Sequence, residues 1–172
     1  NYTSASSNIT LQFWVKSSVA QNFYFRLQTS DGTAQNYVME TGTLSANTWT
    51  LITKTIPGHA NLQFDNNEDE GLLFDFAPYS GTDTTGTRPL NAWAAYDGAT
   101  RLPDNPVTWV ETNGATIEFT GFQLEVGDSA SDFAHEKYSD TLAKCQRYFF
   151  MLAAHHQQTH NACFGRGASL NN

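Results

Sequence analysis

Residues 9–16 read ITLQFWVK, and the alternation in that stretch decides the fold. Ile9, Leu11, Phe13 and Val15 fall on one face of an extended chain, while Thr10, Gln12, Trp14 and Lys16 fall on the other. Successive side chains of a strand point to opposite sides, so this is the pattern of a half-buried antiparallel strand. NFYFRLQT (22–29) repeats it, with Phe23, Phe25 and Leu27 inward. Asp31-Gly32 then signals a hairpin turn before NYVME (36–40). TWTLITKTI (48–56) is a further run, stopped by Pro57-Gly58. HANLQF (59–64) and GLLFDF (71–76) read as strands that follow, with Leu72, Phe74 and Phe76 in phase.

Residues 77–105 are rich in Pro, Gly, Thr and Asp around the aromatic island LNAWAAY (90–96). They predict a long decorated loop, or a loop holding one short strand. PVTWVE (106–111) and ATIEFTGFQLEVG (115–127) complete the series. In the latter, Ile117 and Phe119 share one parity and Phe122, Leu124 and Val126 the other. A β-bulge at Thr120-Gly121 returns both sets to one core. Short strands at regular spacing with turns between them predict an all-β, two-sheet sandwich over residues 1–138. At Ser139 the pattern changes to SDTLAKCQRYFFMLAAHH, which opens like a capped helix. RYFFML could equally follow one helical turn as a strand. Residues 139–172 therefore read as a helix or strand connector leading into a further segment, and the chain as a piece of a longer polypeptide.

Composition excludes several functions. Of 172 residues only 15% are charged, and 17 acidic against 9 basic residues leave a net charge of −8. Nucleic-acid binding through a basic face is disfavoured, because phosphate contacts need clustered Lys and Arg. No apolar run approaches the ~18 residues that a spanning helix needs, so membrane insertion is not expected. Two cysteines, Cys145 and Cys163, are too few for a disulfide framework. Pairing and free thiols both remain open, with Cys145 expected as a small buried hydrophobe.

Residues 121–150 read GFQLEVGDSASDFAHEKYSDTLAKCQRYFF and resemble a pattern of bacteriophage tail-fibre and related virion proteins. There a G-x-Q-L-E-x-G strand leads through a loop ending in Phe to an acidic turn and an L-A-x-C-Q-R-Y-[FY] segment. The matching residues here are Gly121, Gln123, Leu124, Glu125, Gly127 and Phe133, then Leu142, Ala143 and Cys145 to Phe149. The similarity extends back to LQFWVKS and ANTWTLITKTIPG. Where the family loop often carries Thr-Pro before Phe, this chain has Ser131-Asp132. The resemblance implies a jelly-roll β-sandwich similar to carbohydrate-binding modules. It also implies a place in a virion tail fibre or spike assembled in the host cytoplasm, host cell-surface glycan and other virion tail proteins as partners, and a homotrimer. It carries no fixed catalytic residues, and no enzymatic activity is expected. The alternatives are a carbohydrate-binding module of a secreted bacterial glycosidase and a purely structural virion domain. A depolymerase ranks behind them, since no G-x-S-x-G elbow, H-E-x-x-H helix or phosphate-cradling loop is present.

Sugar recognition needs exposed aromatic faces for the C–H side of a pyranose and polar groups for its hydroxyls. Tyr79, Trp93, Tyr96 and Trp109, with Asp97 and Arg101 close in sequence, are the candidate carbohydrate-binding residues. The competing reading is that Trp93 and Trp109 cap the ends of the core. Trp14 and Trp49, lying within strands, read as core or inter-subunit residues. No cofactor is required. Asp65, Asn67 and Asp69 match the start of a calcium loop, but Glu70 stands at the sixth position and Phe76 at the twelfth. An EF-hand is excluded, a looser calcium site stays open, and a solvated turn is the default. His155, His156, His160 and Cys163 form a weaker candidate metal group that fits no finger spacing. Glu111, Glu118 and Glu125 are carboxylates that a glycosidase could pair, with solvent exposure the simpler reading.

Overall fold

The alternating stretch at 9–16 becomes the central strand of one sheet. A computed structural model describes residues 1–67 and 69–146. Strand β1 (Asn8–Ser17) pairs antiparallel with β4 (Thr50–Pro57) on one side and β7 (Ile117–Val126) on the other. The second sheet has the order β5-β2-β3-β6, built from β5 (Leu72–Ala77), β2 (Asn22–Thr29), β3 (Gln35–Thr43) and β6 (Trp93–Ala95). All its pairings are antiparallel. The protein is thus mostly β, with two antiparallel sheets, as the alternation predicts.

The sheets meet through the inward parity of each strand. Phe13, Val15, Phe23, Phe25 and Met39 are fully buried, and Leu11, Leu27, Ile52 and Ile56 nearly so. Phe13 of one sheet meets Phe25 of the other edge to face, with centroids 5.3 Å apart. Such offset aromatic pairs add about 0.5–1.5 kcal/mol to the burial of their area.

The predicted bulge is present. β1 and β7 stay in register from Ile9↔Val126 to Gln12↔Gln123, then resume at Trp14↔Thr120, so Phe13 faces two residues, Gly121 and Phe122. Gly121 has φ +64°, a left-handed conformation that a residue with a Cβ adopts only at a cost. The shift turns Phe122 inward, where its ring stacks on Phe13.

Three expectations fail. PVTWVE is not a strand: it forms the short helix α1 (Thr108–Glu111). The Gln21 side-chain oxygen accepts the Trp109 backbone N–H at 2.7 Å, and the Thr112 hydroxyl donates to Thr108 C=O, which satisfies the turn locally. HANLQF is not a strand either. It belongs to the connection between β4 and β5, in which Leu62 is deeply buried. Cys145 is exposed on α2 (Tyr138–Gln146), a helix with no buried residue among those described, so it does not serve as a core hydrophobe.

Residues 1–133 form one compact unit, and a second unit begins at Ala134. Within the second, Lys144 in the last turn of α2 pairs with Glu136, two residues before the helix starts. RYFFML, the His155–His160 group and Cys163 lie outside the described residues.

Candidate functional site

The long 78–105 connection does not stand free. It folds back over the outer face of the β5-β2-β3-β6 sheet and forms a third layer there. The Asn36 side chain donates to Arg101 C=O, Thr85 and Leu102 form a bridge, and the Thr85 hydroxyl donates to Asp104 at 2.7 Å. Val38 and Leu102, both about 1% exposed, are buried outside the inter-sheet core. Arg26, at 5% exposure, is ion-paired with Asp75 at 2.9 Å, and its guanidinium lies 5.6 Å from the centre of the Tyr96 ring.

That arrangement separates the six residues expected to bind carbohydrate. The Trp93 indole N–H donates to Pro57 C=O at 2.7 Å, and its ring packs on Tyr37 at 5.1 Å. The Trp109 ring meets Phe23 edge-on at 6.2 Å, and its indole N–H donates to Thr116 C=O. Both rings are half-buried against the core. Pro57 pairs with Asn8, and Thr116 adjoins Ile117, the partner of Ser17. Nine strand steps, from Asn8 to Ser17, therefore separate the positions of the two acceptors, about 30 Å at roughly 3.3 Å per residue. The two tryptophans cap opposite ends of the core and do not form one surface. Tyr79 is exposed, while Tyr96 is half-buried over Arg26. Asp97 uses its carboxylate on its own turn. The Ala99 backbone N–H, then the Thr100 hydroxyl and the nearby Arg88, hold it below the usual carboxylate range. The exposed Arg101 donates to Gly98 C=O. Of the six, the structure draws together only Tyr96, Asp97 and Arg101.

An aromatic surface does exist, on the outer face of the three-stranded sheet. Trp14 and Leu51 are direct cross-strand partners, and Trp49 precedes Leu51 by two positions. Trp14, Leu51 and Trp49 are 40%, 42% and 41% exposed, which places two indoles and a leucine together facing solvent. Gly121 makes room for the Trp14 indole: a Cβ there would sit 3.2 Å from Trp14 Cδ1 and 3.8 Å from the Phe133 ring. Lys16 lies 5.1 Å from the centre of the Trp49 ring and is ion-paired with Glu118 at 2.8 Å. Thr53, exposed beside this group, faces Gln12 across the strands.

The same sheet's other half is covered by residues 128–133. Gln12 donates to Ser131 C=O at 2.8 Å, and Glu125 accepts both the backbone N–H and the hydroxyl of Ser131. Those bonds, the backbone one foremost, and a further one from Gln123 hold Glu125 ionised below its usual range. A glycosidase acid needs the opposite shift. Glu118 is occupied by Lys16.

In the acidic loop, Asp69 N–H is bound by the Asn67 side-chain oxygen and Asp65 N–H by Asp31. Among the described residues no three Asp, Glu, His or Cys side chains converge as a metal-binding group. No described helix is long and apolar enough to cross a membrane. No protein-family model, curated protein or solved structure matches the chain.

Proposed function

We propose that this chain is a non-enzymatic attachment module that binds host-surface glycan through the Trp14–Trp49 face, as part of a virion tail fibre or spike. The observation that carries the glycan reading is the pair of exposed indoles beside Leu51, flanked by an ammonium, a carboxylate and hydroxyls. Flat apolar rings stack on the C–H face of a pyranose while neighbouring polar groups meet its hydroxyls. The virion setting rests on the resemblance of residues 121–150 to tail-fibre proteins. A jelly-roll identity for the sandwich is part of the same reading, supported by the crossings between sheets in the order β4-β1-β7 against β5-β2-β3-β6.

A shallow open face binds weakly alone, and repetition on a homotrimeric fibre raises avidity through effective concentration. The same face would serve a module of a secreted glycosidase, the second reading; a neighbouring catalytic domain in the full polypeptide would favour it. Binding of the full chain to a glycan array, together with competition against adsorption to host cells, tests the proposal. Retention of specific glycans supports it, and a chain that neither retains glycan nor competes contradicts it.

A further inference from the structure

Where β1 begins and β4 and β7 end, the two sheets part around a cavity of about 380 Å³. Its walls are almost wholly hydrocarbon, from Tyr2, Ile9, Phe64, Leu72, Trp93 and Leu124. A dry apolar cavity of about 150 Å³ accommodates one benzene-sized molecule, so this one is more than twice large enough. Beside it, sharing Asn1, Ser7, Asn8 and Val126, lies a shallower recess of about 340 Å³ that also includes Ser6 and Asp128. Hydrocarbon is thus continued by hydroxyl and amide groups and by one ammonium and one carboxylate. We propose that this end of the sandwich binds an amphiphile, its unbranched aliphatic chain of roughly ten carbons in the cavity and an uncharged polar head in the recess.

The walls are preformed. Trp93 is fixed by its bond to Pro57, and Tyr2 meets Phe64 edge to face at 4.9 Å. The N-terminal segment is latched to the β4 end by Gly58 N–H to Ser7 C=O at 2.7 Å and His59 N–H to Tyr2 C=O at 3.1 Å. Preorganisation of this kind lowers the ordering cost of binding. The head preference follows from charge. The Asn1 α-ammonium and the Asp128 carboxylate both border the recess, and among the described residues no Lys or Arg side chain lines either hollow, so the site offers an ionic head no net counter-charge, whereas an uncharged head avoids the cost of losing its hydration. The site is separate from the indole face and does not depend on the glycan reading.

The test is a nuclear magnetic resonance titration of the full chain with n-decylamine, n-decanol and decanoate, each below its micelle threshold. Saturable shifts of the Trp93 indole and the Ile9 and Leu124 amides are expected, with decanol about tenfold tighter than decylamine or decanoate. Leu124→Trp, at a position 49% exposed, fills the cavity and should weaken decanol by about tenfold or more. Val126→Trp, at 92% exposure, is the second variant should the first fail to fold. Absent saturation, equal binding of either ion, or folded Trp variants that bind as the parent does would each overturn the proposal. So would a concentration-dependent mass that Leu124→Trp abolishes without any decanol binding, which would give the hollow to a second copy of the chain.

Discussion

Phe122 stacks on Phe13 with centroids 4.9 Å apart and planes 16° from parallel, although the register between their strands slips at that point. The slip and the stack are one feature. Gly121 takes the left-handed conformation, which places Phe122 over the fully buried Phe13 ring and leaves room for Trp14 on the opposite face. One glycine thereby serves the core and the aromatic surface together.

Gly121→Ala should destabilise the fold by about 1–3 kcal/mol, combining the left-handed backbone penalty with displacement of the Trp14 ring. Gly42→Ala is the matched control. Its φ is +72°, yet a Cβ there meets nothing within 4 Å, so only the backbone penalty of about 1 kcal/mol applies. Urea denaturation of both variants checks this. Equal losses would show that the approach to Trp14 carries no strain.

Phe13→Ala should cost about 3–5 kcal/mol, at the upper end for a core truncation. Its ring has no exposed area and touches Phe25, Phe74, Phe76, Phe119 and Phe122, aromatics drawn from both sheets. Thermal or denaturant unfolding with a loss below 2 kcal/mol would mean that the neighbouring rings collapse into the space.

Asp75→Asn should destabilise more than Arg26→Met. Removing the carboxylate leaves a buried guanidinium without its counter-charge, whereas Met replaces the cation with hydrocarbon under the Tyr96 ring. Because Asp75 is about one-third exposed, solvent screening reduces the expected cost to about 1–3 kcal/mol. Denaturation of the two variants side by side gives the order, and the reverse order would refute the argument.

The strands were legible because period two is a local signal: residues 9–16 and 22–29 show their buried faces unaided. The bulge was legible too, from a change of parity around a glycine. The position of Trp14 was also present in that alternation, on the side of Thr10, Gln12 and Lys16, yet a tryptophan inside a strand suggests burial. Trp93 and Trp109 were open to two readings, a sugar platform or caps on the ends of the core. Their surrounding Gly, Pro and Asp resemble free loop, and no local pattern reveals that Pro57 and Thr116 will accept their indole protons. PVTWVE failed because so short a stretch, with Val107, Trp109 and Val110 around Thr108, fits a strand or a helical turn equally, and the deciding bond comes from Gln21, 88 residues away.

Acid should loosen residues 128–133. Glu125 has its carboxyl held below the ordinary value of about 4.3 by Ser131 and Gln123. A depressed folded value contributes stability above the unfolded one, and that contribution is lost as pH falls through the folded one. The Ser131 amide resonance should therefore titrate with a midpoint below that of a free glutamate. A midpoint at or above it, or persistence in Glu125→Gln, would show that the carboxylate does not tether this loop.

The most direct test of the attachment reading is the affinity of the full chain for the glycan it retains best, compared with Trp14→Ala, Trp49→Ala and Tyr79→Ala by calorimetry. Each indole removed should weaken binding by about tenfold in variants that remain folded, because a stacked ring contributes about 1–1.5 kcal/mol. Tyr79→Ala should bind as the parent does. Undiminished affinity in both tryptophan variants, or loss confined to Tyr79→Ala, would contradict the account.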